Sequence, residues 1–223
     1  MKVIDRNTSC DFKHERTKKD TIVVHFTAGG SLAGAEAQLA KPDTINVHFI
    51  MDRDGKVYRY FPEMYWAHHC GNTAISKKSI SLEIVNWGGL KEHDGLWLPW
   101  TMKINQAVPK DRIFFCLPWR GYSAFEMLTD AQEKALPEFV AYITSKHPIV
   151  NFMTHADVVD YKTDFPPTFR QVYDAFKPKT IHMESHMSKT EPKDIQERIN
   201  WLIKNRGWGD PELNYLIKLR DKG

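Results

Sequence analysis

Hydrophobic runs separated by turn-forming residues predict strands and helices in alternation. The β-branched run Thr21 to Phe26, which stops at Thr-Ala-Gly-Gly, is typical of a buried strand. Ser31 to Ala40 has apolar residues at helical spacing and begins with a serine suited to an N-cap. Val47 to Asp52 and Lys56 to Phe61 flank an Asp-Gly turn, which predicts a β-hairpin. Ser79 to Asn86 alternates small or polar with aliphatic residues, which predicts a half-buried strand.

The second half of the chain continues the alternation. Thr129 to Lys146 carries an apolar stripe behind a Thr-x-x-Gln capping box and predicts an amphipathic helix. Ile149 to Thr154 is predicted as a strand and Phe169 to Phe176 as a short helix. Together the elements predict an α/β fold: a single domain with a central mixed β-sheet flanked by helices.

Three segments interrupt or extend this pattern. Residues 87–122 lack a sustained period and are rich in Trp, Pro and Gly, so we predict a long irregular insertion there. Residues 177–189 are polar and predict a linker, followed by helices over Asp194 to Arg206 and Glu212 to Arg220. The predicted organisation is an N-terminal segment (1–19), a main α/β domain (20–176), and a linker with a helical C-terminal extension (177–223).

Composition narrows the class of protein. The chain has 223 residues, 42% of them hydrophobic, and a net charge of +3, which suits one soluble domain and not a nucleic-acid-binding surface. The three cysteines lack paired spacing, so we expect no disulfide framework. The charged N-terminus has no apolar region of a secretory signal, and no stretch approaches the roughly 20 apolar residues of a membrane span. We therefore expect synthesis in the cytoplasm without a signal peptide and without an integral membrane segment.

Two histidines and one aspartate form a candidate metal site. His25 ends the first strand, His155 follows another strand, and Asp164 comes nine residues after His155. Two imidazoles and a carboxylate are a ligand set for catalytic zinc that leaves a fourth position open. Lys162, two residues before Asp164, shares its face if the segment is extended. Taken singly, each residue also fits a structural histidine or a turn aspartate, so spacing alone leaves the question open.

Five motifs, in order, resemble a known family. They are VVHFTAGG (23–30), NVHFIMDRDGKVYRYFPE (46–63), AHHCGN (67–72), SISLEIVN (79–86) and THADVVDYKTDFPPTF (154–169). The chain thereby resembles the peptidoglycan amidases, a family that includes phage lysozyme-type amidases, muropeptide-recycling amidases and animal peptidoglycan recognition proteins. The resemblance runs from about residue 20 to residue 176.

The resemblance implies a zinc-dependent N-acetylmuramoyl-L-alanine amidase, which cleaves the amide bond between N-acetylmuramic acid and the L-alanine of the stem peptide. It implies that His25, His155 and Asp164 bind one catalytic Zn²⁺. It further implies that Glu83 is the general base and that Lys162 stabilises the oxyanion. Zinc would supply activated water near neutral pH, which makes these roles chemically coherent.

Further residues are candidates for substrate contact. His69 matches the family's cleft histidine, and Thr27 and Asn86 are additional candidates. His48 is as well explained by a structural role as by substrate contact. The tryptophans of the insertion, with Tyr122, either stack on sugar faces or form a small satellite core; the sequence leaves both open.

The motifs depart from the family's pattern in three places. Val47 stands where the phage lysozyme-type branch has a tyrosine, so Glu83 is expected to supply the base. Asp164 stands where some relatives have a cysteine. Phe165-Pro166-Pro167 replaces the more usual Pro-Gly after this ligand, which leaves the geometry of the loop open.

Several alternatives remain at this point. The Trp-rich insertion and the predicted helical tail suggest a polymeric substrate. They favour a phage or prophage endolysin that reaches the wall after release, with a cytoplasmic muropeptide-recycling amidase as the alternative. A non-catalytic recognition module is disfavoured because every implied catalytic position is filled. A thiol amidase using Cys70 is disfavoured because adjacent strand residues point to opposite faces, which separates Cys70 from His69. The expected partners are peptidoglycan or muropeptides, not nucleic acid, and a monomer is expected.

Overall fold

A computed structural model describes residues 1–6, 10–41 and 46–176. The strands are β1 (Val3–Asp5), β2 (Thr21–Phe26), β3 (Phe49–Met51), β4 (Val57–Arg59), β5 (Ser79–Ile84), β6 (Gly89–His93), β7 (Leu96–Leu98), β8 (Ile113–Trp119), β9 (Tyr122–Glu126) and β10 (Asn151–Thr154). The α-helices are α1 (Leu32–Leu39), α2 (Thr73–Lys78), α3 (Asp130–Thr144), α4 (His155–Val158) and α5 (Arg170–Tyr173). Short 3₁₀ turns cover Ile104–Gln106, Lys110–Arg112 and Asp174–Phe176.

The chain divides into two compact units, residues 1–178 and 179–223. All of the second unit lies outside the described residues, and so do the predicted linker and both predicted C-terminal helices. Within the described part, no helix is both long enough and apolar enough to cross a bilayer.

Six strands form the main sheet, in the order β1-β4-β3-β5-β2-β10. The β3–β4 pair is antiparallel, as the predicted hairpin requires, and the other pairs are parallel. The predicted mixed sheet flanked by helices is therefore confirmed. Because β5, β2 and β10 are parallel neighbours, their carboxyl ends open onto the same edge of the sheet.

The central strand β5 differs from its predicted half-buried character. Five of its six residues are buried, and Glu83 alone is partly exposed. One face packs in a core with β2, β3 and helix α3, whose apolar stripe includes Leu136, Phe139 and Ile143. The other face carries Ser79 and Ser81, which are buried as well. The polar alternation was misleading because these small serines form hydrogen bonds with the side chains of buried histidines instead of facing water.

The prediction of an irregular insertion is wrong. Residues 87–122 contain most of a second, antiparallel sheet of order β7-β6-β9-β8. This inserted sheet has its own cluster of buried residues, Leu90, Val108, Ile113 and Ala124, against which Trp87 and Trp97 pack. Strands as short as β7 show no measurable period, and β8 contains a register shift between Phe115 and Trp119. The pattern was therefore too weak to detect, although an Asp-Gly pair did mark the β6–β7 turn.

Three other elements were not predicted. Strand β1 adds an edge to the main sheet by pairing with β4, so part of the segment 1–19 joins the sheet. Helix α2 begins after Asn72, whose side chain accepts a hydrogen bond from the backbone of Ile75. Helix α4 is a single turn that begins at His155. All three are too short to show a hydrophobic period.

Candidate metal centre and active site

The three predicted ligands converge at the carboxyl edge of the main sheet. His25 lies near the end of β2, and His155 follows directly after β10. Thr154 pairs with Val24 in the parallel register, so the two histidines occupy equivalent positions on neighbouring strands. Asp164 reaches the same point from the loop after α4, and its Oδ2 accepts a hydrogen bond from the backbone N–H of Phe26 at 3.3 Å.

The donor atoms lie close enough to share one ion. Nδ1 of His25 lies 2.8 Å from Nδ1 of His155. Oδ2 of Asp164 lies 4.0 Å from the first nitrogen and 3.8 Å from the second. All three ligand atoms fall within 4.8 Å of one another, and all three residues are buried. The two imidazoles and the carboxylate therefore form a candidate metal centre.

Burial keeps the two histidines in the neutral form that binds a cation. Burial lowers the pKa of His25 well below its ordinary value and lowers the pKa of His155 to about 4, so both rings are neutral near pH 7. Burial also raises the pKa of Asp164 to about 6, against the opposing effects of the Phe26 N–H and the Lys162 charge. A divalent cation would offset the cost of burying this carboxylate, so the donor set fits a metal ion.

His69 lies beneath the metal centre and does not line the cleft. Its side chain is buried, with Nδ1 3.0 Å from Nε2 of His25 and Nε2 2.8 Å from Oγ of Ser79. The structure thus places His69 behind a ligand, away from the predicted substrate contact. The family motif indicated that His69 belongs to the site, but it could not show on which side of His25 the side chain lies.

Glu83 lies next to the ligands. It pairs in register with His25 across β5 and β2, so both side chains point to the same face. Its Oε2 is buried without a hydrogen-bond partner among the described residues. Burial, reinforced by repulsion from Asp164 and opposed by Lys162, raises the pKa of Glu83 well above its ordinary value. A carboxyl whose pKa is raised in this way holds a proton more strongly than an ordinary glutamate does, which suits it to proton transfer.

A cleft of about 340 Å³ opens above these groups. The residues that line it come from β2 and the turn after it, α1, β3 and the segment before it, β5, the inserted sheet and the loop after α4: Phe26, Thr27, Ala28, Ala35, Gln38, Leu39, Val47, Ile50, Glu83, Trp87, Gly89, Trp100, Tyr122, His155, Tyr161, Lys162, Thr163 and Asp164. The cleft thus contains the predicted Lys162 and Thr27 together with Glu83 and two of the three ligands. Lys162 lines the same cleft, and its positive charge lowers the pKa of both His25 and His155.

The remaining predicted site residues serve the scaffold. His48 is fully buried between Ser81 Oγ, at 2.9 Å, and the carbonyl of Tyr65, at 3.0 Å. Asn86 is also buried; its side chain accepts a hydrogen bond from the N–H of Gly88 and donates to carbonyls of β9 and the residue after it. Neither residue lines the cleft, so the structural alternative for His48 has the better support.

The aromatic residues of the insertion divide between two places. Trp87, Trp100 and Tyr122 line the cleft, whereas Trp97 packs in the satellite cluster. Trp100 is 64% exposed and donates a hydrogen bond from Nε1 to the carbonyl of Ala28 at 2.7 Å. Gly30 allows the turn after β2 to approach Trp87 closely, because a Cβ at this position would lie 2.7 Å from the Trp87 ring. Some of these aromatic residues are therefore placed where they could contact substrate, and others form the satellite core, so each of the two sequence alternatives applies to part of the set.

Tyr161 and Gln38 also line the cleft, and sequence reasoning did not single them out. Tyr161 lies one residue before Lys162, so the closing motif itself offered a signal. Cys70 is fully buried, and its Sγ contacts Ser76 Oγ at 3.3 Å instead of the cleft. This position leaves the thiol without access to substrate.

The comparison with protein families decides the identity. A family model described as N-acetylmuramoyl-L-alanine amidase matches residues 15–167, well over half of the chain. The chain belongs to this amidase family. The resemblance inferred from the five motifs is therefore confirmed. None of the curated proteins compared with the amidase matches it significantly.

Solved structures show the same fold. The amidase AmiD from E. coli, in complex with anhydro-N-acetylmuramic acid-L-Ala-D-gamma-Glu-L-Lys, is 18% identical with a TM-score of 0.53, over 87% of this chain and 66% of AmiD. The amidase LysC from Clostridium intestinale is 16% identical with a TM-score of 0.49, over 78% of this chain and 96% of LysC. At such identities the likeness to AmiD establishes the fold alone.

Proposed function

We propose that this amidase hydrolyses the amide between N-acetylmuramic acid and L-alanine, with one catalytic Zn²⁺ held by His25, His155 and Asp164. The observation that carries the proposal is the convergence of three buried donor atoms within 4.8 Å of one another at the floor of a cleft. Glu83 beside them supports it, because its Oε2 is buried without a hydrogen-bond partner among the described residues.

The donor set suits zinc better than a harder cation. Two neutral imidazoles and one carboxylate are a catalytic zinc set, whereas Mg²⁺ and Ca²⁺ prefer oxygen donors throughout. When bound, the ion supplies Lewis acidity and lowers the pKa of water. His25 and His155 bind through Nδ1, because these are the atoms that face each other and Asp164.

Glu83 is the general base. It accepts a proton from the attacking water at its free carboxylate oxygen and later passes that proton to the nitrogen of the departing L-alanine. Its raised pKa suits both steps, because a base that is too acidic would hold the proton too weakly for the second transfer.

Lys162 stabilises the negative charge that develops on the amide oxygen. Its side chain lines the cleft and is half-buried, so its ammonium acts where water is partly excluded. Thr27 lies on the same cleft and is proposed to contact the substrate.

The shape of the cleft favours a polymeric substrate and hence a phage or prophage endolysin. Trp87, Trp100 and Tyr122 extend the cleft wall from the inserted sheet, where flat rings can stack on sugar faces. A muropeptide-recycling amidase is the alternative and would act on soluble fragments. A recognition module without activity is disfavoured, because Glu83, Lys162 and two of the three proposed ligands line one cleft, and His25 lies beside those ligands.

Two measurements test the proposal: the dependence of activity on metal, and the relative rates on large and small substrates. Enzyme stripped by a strong chelator should lose cleavage of sacculi and regain it with one equivalent of Zn²⁺. An endolysin should cleave sacculi faster than a soluble monomeric muropeptide, and a recycling enzyme should show the reverse. Full activity after verified metal removal would refute the zinc proposal.

A further inference from the structure

Arg120 connects the inserted sheet to the active-site loop. It lies at the tip of the β8–β9 hairpin, where Arg120 and Gly121 both have positive φ, of 48° and 89°. This primed turn lets two strands reverse within two residues and projects the arginine outward from the sheet. Its side chain extends to the active-site loop, residues 156–162, which comprises the last three residues of helix α4 and the four residues after it.

The guanidinium donates to three backbone carbonyls of this loop. Nη1 donates to the carbonyl of Val159 at 2.9 Å and also to that of Lys162. Nη2 donates to the carbonyl of Ala156 at 3.1 Å. Charge-assisted hydrogen bonds are about twice as strong as neutral ones, and one planar group with fixed donors defines the relative positions of all three acceptors.

The other backbone hydrogen bonds of this segment are local: the N–H of Val159 donates to the carbonyl of His155 at 3.1 Å. Tyr161 is 74% exposed, and the backbone N–H of Lys162 reaches the carbonyl of Val159 only at 3.3 Å. By contrast, Arg120 rests on a firm base, because its guanidinium lies 4.6 Å from the ring centroid of Trp119, which packs against the main core. In the contact between Arg120 and the active-site loop, the inserted sheet is therefore the side whose position is fixed by packing.

We propose that Arg120 is a positioning residue that fixes the backbone of residues 156–162 and thereby holds the Lys162 ammonium over the reacting amide. This inference rests on the proposed function in its account of Lys162. It assigns the inserted sheet a role in catalysis in addition to lining the cleft. Arg120 itself is not among the residues that line the cleft, and its hydrogen bonds within the described part of the chain go to backbone carbonyls.

The kinetic test compares Arg120→Ala with Arg120→Lys. Loss of the three bonds should lower kcat about 10- to 100-fold with little change in KM, because Lys162 acts on charge that develops only in the transition state. Lysine keeps the charge but not the fork of donors, so it should recover only part of kcat. Complete recovery by lysine would show that the charge alone matters and would overturn the proposal.

Two controls separate the carbonyl contacts from other effects. Asp160→Ala removes the fully exposed carboxylate that lies 3.9 Å from Nη2 of Arg120, and leaves the carbonyl bonds in place. Lys110→Ala removes an exposed charge from the same insertion. Both variants should retain wild-type kcat. A loss in Asp160→Ala as large as that in Arg120→Ala would assign the effect to the ion pair instead.

A double-mutant cycle tests whether Arg120 acts through Lys162. If it does, Arg120→Ala should cost nothing further in a Lys162→Met background, because there is no ammonium left to position. Additive losses would contradict the mechanism. This result separates positioning from a general loss of stability, which would lower both backgrounds equally.

Hydrogen exchange tests the contact independently of activity. In Arg120→Ala the amides of Val159 and Lys162 should exchange about tenfold faster, while the amides of β2 and β5 remain unchanged. Unchanged exchange in the loop would overturn the positioning proposal even if the enzyme is an active amidase. Faster exchange in a protein whose wild type cleaves no peptidoglycan would instead refute the proposed function and keep the contact.

Discussion

His69 Nδ1 lies 3.0 Å from Nε2 of His25, and this contact fixes which nitrogen of His25 is free for a metal. If His25 binds through Nδ1, its Nε2 carries the proton and donates it to His69. The other nitrogen of His69 then donates to Ser79 Oγ at 2.8 Å. The two hydrogen bonds, from His25 to His69 and from His69 to Ser79, thus run in the same donor-to-acceptor direction. Metal-binding histidines generally have outer-shell support of this kind.

Removing this support should weaken metal binding without removing a ligand. His69→Ala is expected to lower zinc affinity about 10- to 100-fold, because His25 loses the acceptor that orients its ring. Competition with a chromophoric chelator measures the change. The neighbouring exposed residue supplies a control, His68→Ala, which should bind zinc normally. Equal affinity in both variants would show that His69 has no part in the centre.

A ligand itself should be indispensable. His155→Ala is expected to abolish stoichiometric zinc binding and cleavage together, because the remaining donors, one imidazole and one carboxylate, hold zinc poorly. Metal analysis after gel filtration measures the first effect, and release of stem peptides the second. His93→Ala, an exposed histidine on β6, is the matched control. Normal turnover in His155→Ala would remove the metal hypothesis.

The role of Glu83 predicts a different pattern. Glu83→Gln keeps the shape of the side chain and should retain zinc, while kcat falls at least about 100-fold through loss of the proton acceptor. Stability should not fall, because the amide replaces a buried carboxyl with no partner among the described residues. A rate near that of the wild type would mean that another group serves as base.

The exposed ring of Trp100 should matter for long substrates. Trp100→Ala is expected to raise KM for sacculi about tenfold and to leave cleavage of a small muropeptide nearly unchanged, if this ring stacks on the glycan beyond the cleavage site. Trp100→Phe keeps an aromatic face and should restore most of the loss. Equal losses on both substrates would place the contribution of Trp100 within the cleft itself.

Lys19 predicts a pH dependence of stability that is separate from catalysis. Its side chain is almost fully buried, its Nζ donates to the carbonyl of Lys77, and burial lowers its pKa to about 8. The unfolded chain therefore binds more protons than the folded one between pH 8 and the unfolded pKa near 10.5, so stability from this group rises with pH across that window.

The comparison with Lys19→Met isolates this effect. In metal-free protein, the free energy of unfolding of the wild type should gain about 2 kcal/mol relative to the variant between pH 7 and pH 9.5. Denaturant unfolding at several pH values measures the difference, in which the titration of other groups cancels. A constant difference would show that the buried amine does not change its protonation state in this range.

The sequence predicted those features that depend on local pattern or on the chemistry of single motifs. The buried strand β2, the β3–β4 hairpin and helix α3 each had a period or a turn signal, and the ligand set followed from ordered motifs. The inserted sheet could not be predicted in the same way, because its stability comes from pairing between short strands distant in sequence.

The functions of individual histidines were harder to predict because burial is a property of the whole fold. His48 and His69 have the same residue type and both lie within the motifs that resemble the family, yet one is a buried scaffold residue and the other contacts the proposed ligand His25. Arg120 had no signal in the sequence, since its contact with the active-site loop spans 36 to 42 positions along the chain.

Mass spectrometry of sacculi digested in H₂¹⁸O tests the central claim most directly. Hydrolysis of the proposed amide should release stem peptides with a free L-alanine amine and leave muramic acid carboxyl groups that carry one ¹⁸O atom. The same products should vanish with Glu83→Gln. Label on new reducing ends of the glycan, or on carboxyl groups within the stem peptide, would mean that a different bond is cut.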